Sequence, residues 1–211
     1  MDFQLLPLDP CDLPQLKRDM QEAFQLGAEA VFGADTGAVL PESHIDATLA
    51  APGARTWKAV MDGAMAGGAV VSAEGASGHL DFLYVKHGVQ SRGVGRRIWF
   101  AVELAYPEVQ VWETFTPWFE KRNIHFYVNV CGFAAVEFFC ERHPDPHAPD
   151  VSGGNGEDAM FASSSACAET ASFRRPSRLN GRPERKGAGS PGRRGGGTRR
   201  HAKRLLEAAG G

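Results

Sequence analysis

His79-Leu80-Asp81-Phe82-Leu83-Tyr84-Val85 running into Lys86-His87-Gly88-Val89-Gln90-Ser91-Arg92-Gly93-Val94-Gly95-Arg96-Arg97-Ile98-Trp99 is the stretch on which the fold turns. Its first seven residues are mostly aliphatic and aromatic and read as a strand. From Val94 the apolar positions move to helical spacing, at Val94, Ile98, Val102 and Ala105, until Pro107 stops them. A strand therefore delivers the chain, through a loop with Gly93 and Gly95, to the start of a helix. The first amides of a helix have no intrahelical acceptor and the helix dipole is positive there, so the arrangement is an anion cradle. Glycine at both positions lets the backbone approach a pyrophosphate.

Working upstream, Arg55–Met61 and Ala66–Ala73 are strand-like runs joined through Asp62-Gly63, a hairpin dipeptide, and Gly75-Ala76-Ser77-Gly78 leads into the strand at His79–Val85. Three short strands with tight turns make an antiparallel meander. Before them, Leu13, Leu16, Met20, Ala23 and Phe24 recur at spacings of three and four, which predicts an amphipathic helix over Asp12–Val31 ended by Gly33. Met20, Phe24 and Leu26 on it are core residues or line a binding site. Glu42–Leu49 is a second helix between Pro41 and Pro52-Gly53, and Phe3–Leu8 a first strand. Downstream, Val109–Thr114 reads as a strand, Trp118–Cys131 as a helix opened by Pro117 and ended by Gly132, Phe133–Phe139 as a strand, His143–Asn155 as a Pro/Gly-rich loop and Asp158–Ala162 as a last strand.

Charge divides the chain. Residues 1–163 hold 11 Lys/Arg against 22 Asp/Glu, and residues 164–211 hold 12 against 3. Periodic apolar positions also fail after 163, where Arg, Gly, Pro and Ser dominate, so a folded domain over 1–163 and a basic disordered tail over 164–211 are expected. A chain stopped after Ser164 should then keep its binding properties. Nucleic acid, or another acidic partner, would be reached only through that tail. The four cysteines form no CxxC pair, so neither a zinc knuckle nor a disulfide framework is indicated. His143 and His147 sit in a rigid Pro-containing loop without a third ligand at useful spacing, and no metal is expected. No signal-like or membrane-spanning run is present, so a cytoplasmic protein without membrane insertion is expected, as a monomer or homodimer.

Three readings of the glycine loop can be weighed from the residues. A Walker loop needs Gly-Lys-Ser/Thr, which is absent. A dinucleotide fold needs GxGxxG directly after its strand; Gly93-Val94-Gly95-Arg96-Arg97-Ile98 lacks the third glycine, although Glu113 falls where a ribose-binding acid would. A loop that merely turns the chain stays open beside these.

Gln90-Ser91-Arg92-Gly93-Val94-Gly95 resembles the Q/R-x-x-G-x-G/A signature of GNAT-superfamily N-acetyltransferases. It stands after an antiparallel meander and is followed by helix, strand, and a helix with a Tyr near its end leading into Gly132-Phe133. Trp112–Pro117, Phe119–Asn129 and Gly153-Gly154-Asn155-Gly156 are similar to phrases of one bacterial-type branch, and the likeness covers roughly residues 1–162. It implies an α+β fold of three layers, α/β/α, whose mixed and mostly antiparallel sheet splays in a V between two central parallel strands. It also implies acetyl-CoA as donor, without a metal, and direct attack by the amine of a small molecule or an exposed peptide.

The resemblance places roles on residues. Backbone groups of Phe82, Leu83 and Val85 would pair with the pantetheine arm, and the amides of Gln90, Arg92, Gly93, Val94, Gly95 and Arg96 would hold the pyrophosphate. Asn123 would touch the cofactor. Tyr127 would protonate the departing thiolate, although it precedes Gly132 by five residues where the commoner family spacing is four. His79 or Glu113 would take the ammonium proton. Two further readings stand beside the enzyme: a non-catalytic acetyl-CoA-binding module, and a body tethered to a partner by its basic tail.

Overall fold

The computed structural model describes residues 2–34, 36–89, 93–144 and 170–177. They belong to one compact unit. In chain order the elements are β1 (Phe3–Pro7), a 3-10 turn (Pro10–Asp12), α1 (Leu13–Phe32), α2 (Glu42–Ala50), β2 (Ala54–Met61), β3 (Ala64–Glu74), β4 (Ser77–Val85) and α3 (Val94–Ala105). They continue with β5 (Val111–Pro117), α4 (Lys121–His125), a π-helical turn (Phe126–Cys131), β6 (Ala134–Phe139) and β7 (Thr170–Pro176).

The seven strands form one sheet in the order β1-β2-β3-β4-β5-β7-β6. β1 to β4 are an antiparallel meander whose first hairpin turns at Asp62-Gly63, both at positive φ as a primed turn requires. β4 and β5 are the parallel pair. They are in register only from Ser77/Val111 to Leu80/Thr114, although β4 runs on to Val85 and β5 to Pro117. Beyond Leu80 the β5-facing edge of β4 is thus left without its neighbour, which is the expected splay. The Thr114 hydroxyl donates to the Leu80 carbonyl (2.9 Å) where pairing ends.

Each face of the sheet carries its own core. On one, Val94, Ile98, Trp99 and Val102 of α3 and Ile124 of α4 pack on Val71, Leu80, Trp112 and Phe173. On the other, Leu16 and Met20 of α1 and Ile45 of α2 pack on Val70, Phe82 and Tyr84. Leu80 and Phe82 lie two apart yet serve opposite faces, because Val71 pairs with Leu80 while its neighbour Val70 pairs with Phe82, so that Asp81 bulges out of β4. A bulge flips the side-chain parity of everything after it.

Two sequence expectations are corrected. The helix expected over Trp118–Cys131 begins only at Lys121 and changes to a π turn at Phe126. The strand expected at Asp158–Ala162 lies outside the described residues, and the strand between β5 and β6 is Thr170–Pro176, inside the segment 164–211 expected to be tail. Its alternation explains why it belongs there. Ala171, Phe173 and Arg175 point into the α3-side core, and Arg175 is neutralised in that core by an ion pair to Glu103 (3.0 Å), both side chains at or below 5% exposure.

Candidate active site

A cleft of about 330 Å³ opens where the sheet splays, a volume within the range of small-molecule sites. β4 contributes Leu83, Tyr84 and Val85; α3 and its leading glycine contribute Gly93, Val94, Gly95 and Arg96; α4 and the π turn contribute Arg122, Asn123, Phe126 and Val130. Ala23, Phe24 and Gly27 of α1 close the other side, with Glu120. Helices from both faces of the sheet therefore meet in one cleft at the gap between β4 and β5.

The glycines suit an anion. Gly93 caps α3 in the left-handed region (φ 73°) without a side-chain cap, and open space surrounds the place a Cβ would take. The first bond from inside the helix runs from Arg97 N–H to the Gly93 carbonyl (3.1 Å), so the amides of Val94, Gly95 and Arg96 lie ahead of the ladder. At Gly95 a Cβ would sit 3.3 Å from Phe126 Cε2 and 3.4 Å from Val85 Cγ2. The backbone there packs closely against the cleft wall, and a Cβ would require the Phe126 ring to give by a few tenths of an ångström. This cradle fits a pyrophosphate.

Most of the expected cofactor contacts converge on this cleft: Leu83, Val85, Gly93, Val94, Gly95, Arg96 and Asn123 all line it. Phe82 does not; its ring turns to the α1 side and meets Phe24 edge-on at 5.9 Å, which leaves only its backbone toward the gap. Gln90 and Arg92 lie outside the described residues.

Tyr127 is buried (7% exposed) below the cleft, among Phe126, Phe133 and Phe173. Burial pushes its phenol up to about 12, and a side-chain hydrogen bond with Thr114 works in the opposite direction. That contact sets the hydroxyl beside Thr114 and Leu80, the point where the parallel strands part. The unusual spacing to Gly132 has a physical counterpart: the Gly132 amide reaches back five residues to the Tyr127 carbonyl, and the π turn absorbs the additional residue.

The two expected bases stand apart from the cleft lining. His79 Nδ1 pairs with Asp81 Oδ1 (2.8 Å), with its ring 5.3 Å from that of Phe115. Glu113, opposite His79 in the β4–β5 register, accepts from Arg174 Nε of β7 (2.6 Å). His143 stacks on Phe139 (5.7 Å) and contacts Glu137 Oε1 (3.0 Å), while His147 lies outside the described residues.

The sequence reading missed Glu120 and Arg122. Both fall inside the helix expected over Trp118–Cys131, whereas in the structure Glu120 is the N-cap of α4 and Arg122 lies in its first turn. Phe24, read as core or site lining, is both.

A sheet splayed at its one parallel pair, with a glycine-capped helix at the gap, defines the fold of an acyl-CoA-dependent transferase. The sequence profile described as "Acetyltransferase (GNAT) domain" matches residues 26–136: the chain belongs to the GNAT acetyltransferase family, an enzyme family that takes acetyl from acetyl-CoA, and it is an N-acetyltransferase by class. The chain is 42% identical over 139 residues to uncharacterized protein YrkN of Bacillus subtilis (strain 168), covering 64% of this chain and 75% of that protein. Among solved structures it is similar in fold to the ribosomal-protein-S18-alanine N-acetyltransferase of Escherichia coli (TM-score 0.58, 14% identity, 86% of this chain and 97% of that one). It is also similar to a GNAT family acetyltransferase of Elizabethkingia anophelis with acetyl-CoA bound (TM-score 0.53, 13% identity, 82% and 97%). Among the described residues no helix is long and apolar enough to cross a membrane.

Proposed function

We propose that this chain transfers acetyl from acetyl-CoA to the amine of a small molecule or an exposed peptide, by direct attack in a ternary complex. The observation that carries the reading is the convergence, in one cleft, of the unpaired edge of β4, the glycine-capped start of α3 and Asn123. Acetyl-CoA supplies an acyl group activated as a thioester. The free amides of Val94, Gly95 and Arg96 and the α3 dipole hold its pyrophosphate, a role that the resemblance also gives to Gln90 and Arg92. Backbone groups of Phe82, Leu83 and Val85, released from β5 beyond Leu80, bind the pantetheine amides as an added strand would. Asn123 supports the same arm from α4.

Tyr127 gives its proton to the sulfur. With its phenol held near 12 by burial, it stays protonated through the working pH range, the state a donor requires. His79, oriented by Asp81, and Glu113 remain proposed acceptors of the ammonium proton. The position of Tyr127 below the cleft lining also favours the second reading, a binding module without turnover. The two are separated by measuring thiol release from acetyl-CoA with a panel of amines, next to the rise in melting temperature that CoA produces. Transfer gives both signals; the binding module gives only the second.

A further inference from the structure

The cleft has two chemically different ends. At α3 the amides and Arg96 make it an anion site. At α1 its wall is Ala23, Phe24 and Gly27, and against that wall stands Glu120, the single carboxylate among the described lining residues. A Cβ on Gly27 would come 3.3 Å from Glu120 Oε1, so the carboxylate lies against the α1 backbone. α1 belongs to the face of the sheet opposite α3. A donor held at α3 therefore shares one cleft with the Glu120 carboxylate.

Resting on the reading above for the donor and its cleft, we propose that Glu120, in place of His79 or Glu113, is the acceptor-side base: it pairs with the ammonium of an incoming primary alkylamine and takes its proton. The class follows from the wall. Apolar groups beside the carboxylate receive the uncharged carbons next to the amine, and the carboxylate receives the charge. Among the described residues no donor is hydrogen-bonded to the Glu120 carboxylate, whereas His79 and Glu113 each have a partner. Burial raises its carboxyl above the ordinary carboxylate range, and the charge of Arg122 opposes this. A raised carboxyl is a better proton acceptor toward an amine.

The step balances. The ammonium gives one proton to the Glu120 carboxylate, and the free amine attacks the thioester carbonyl carbon. A C–N bond forms, the C–S bond breaks with its electron pair on sulfur, Tyr127 gives its proton to the thiolate, and the second nitrogen proton, released to solvent, is matched by the one that restores the Tyr127 phenol. The other titratable groups in the cleft are Arg122 on α4, Arg96 on α3 and Tyr84 on β4, whose phenol burial keeps protonated; α1 presents none among its lining residues. The acid limb of the pH profile is thus assigned to Glu120.

The test compares wild type with Glu120→Gln and Glu120→Asp, using acetyl-CoA as donor, CoA as binding probe and hexylamine as acceptor. The expected result for Glu120→Gln is an unchanged CoA-induced rise in melting temperature and a kcat lower by about 10²-fold or more, as for loss of a general base. The acid limb disappears, and Glu120→Asp restores part of the rate. Two readouts do not depend on turnover. Hexylamine should raise the melting temperature of the CoA-saturated wild type but not that of Glu120→Gln. A carboxyl raised on folding destabilises the native state as pH climbs through its folded pKa, so Glu120→Gln should melt above wild type at pH 8 and level with it near pH 4. A Gln variant that turns over at the wild-type rate, or one that loses the CoA response, overturns the assignment. A wild type with no CoA response removes the cofactor reading beneath it, a failure distinguishable from the first two.

Discussion

Phe173→Ala is the sharpest test of the architecture, because residue 173 lies in a segment whose composition argues against any strand. Its ring is wholly buried on the α3 side, opposite Thr114 of β5 and Ala135 of β6, 6.1 Å from the ring of Tyr127. Truncating a core Phe costs about 3–5 kcal/mol, from lost transfer energy and the cavity left behind. For a domain of this size each kcal/mol is about 2–4 °C, so melting should fall by roughly 6–20 °C, a large part of the ~5–15 kcal/mol that holds a domain together. The control is the next residue. Arg174 points to the other face, where its exposed side chain pairs with Glu113, and Arg174→Ala should cost at most about 1 kcal/mol. Urea unfolding followed by tryptophan fluorescence reads both; Trp99 and Trp112 lie in the same core. Equal midpoints for the two variants, within about 0.5 kcal/mol of wild type, would refute β7 as a strand of this sheet.

Gly93→Asp should abolish the CoA-induced rise in melting temperature, since it sets a carboxylate at the cradle, while Gly93→Ala shares the cost of a side chain at φ 73° and keeps part of the response. Tyr127→Phe should lower kcat with little change in CoA affinity, and calorimetric titration with CoA checks the second half; the wild-type rate should show no phenol ionisation below pH ~10, because burial holds that group near 12. A chain stopped after Ser164, expected from composition alone to survive, should lose cooperative unfolding because it lacks β7, whereas one stopped after Gly181 should retain both folding and the CoA response.

Where the signal was local, the sequence was legible. α3 occupies Val94–Ala105 as its apolar spacing requires, and Asp62-Gly63 makes the turn its dihedral preferences favour. The glycine-capped start of α3 was readable for the same reason, since Gly93 stands at the junction that the change of period marks. Three features were not readable, each because a longer-range interaction decides it. Burial alternates at Leu80, Phe82 and Tyr84 as in an uninterrupted strand, yet Asp81 bulges and the faces switch. The π turn preserves a helix-like pattern, so its additional residue leaves only the odd Tyr127–Gly132 interval as a trace. β7 offers one large apolar residue among Arg, Ser and Pro, and its buried Arg175 is matched by an ion pair to Glu103, far away in α3. Glu120 is hidden in the same way, because Pro117 signals a helix start whereas α4 begins at Lys121.

The central claim is transfer of acetyl to an amine from a donor held in the β4–α3 cleft. Its most direct test is a single reaction containing protein, acetyl-CoA and a panel of primary amines, with free thiol and acetylated amine both quantified by mass spectrometry. The account predicts equal amounts of the two products, dependent on the amine and lost in Gly93→Asp. A protein that CoA stabilises but that releases no thiol with any amine would contradict the transferase account and leave a binding module in its place.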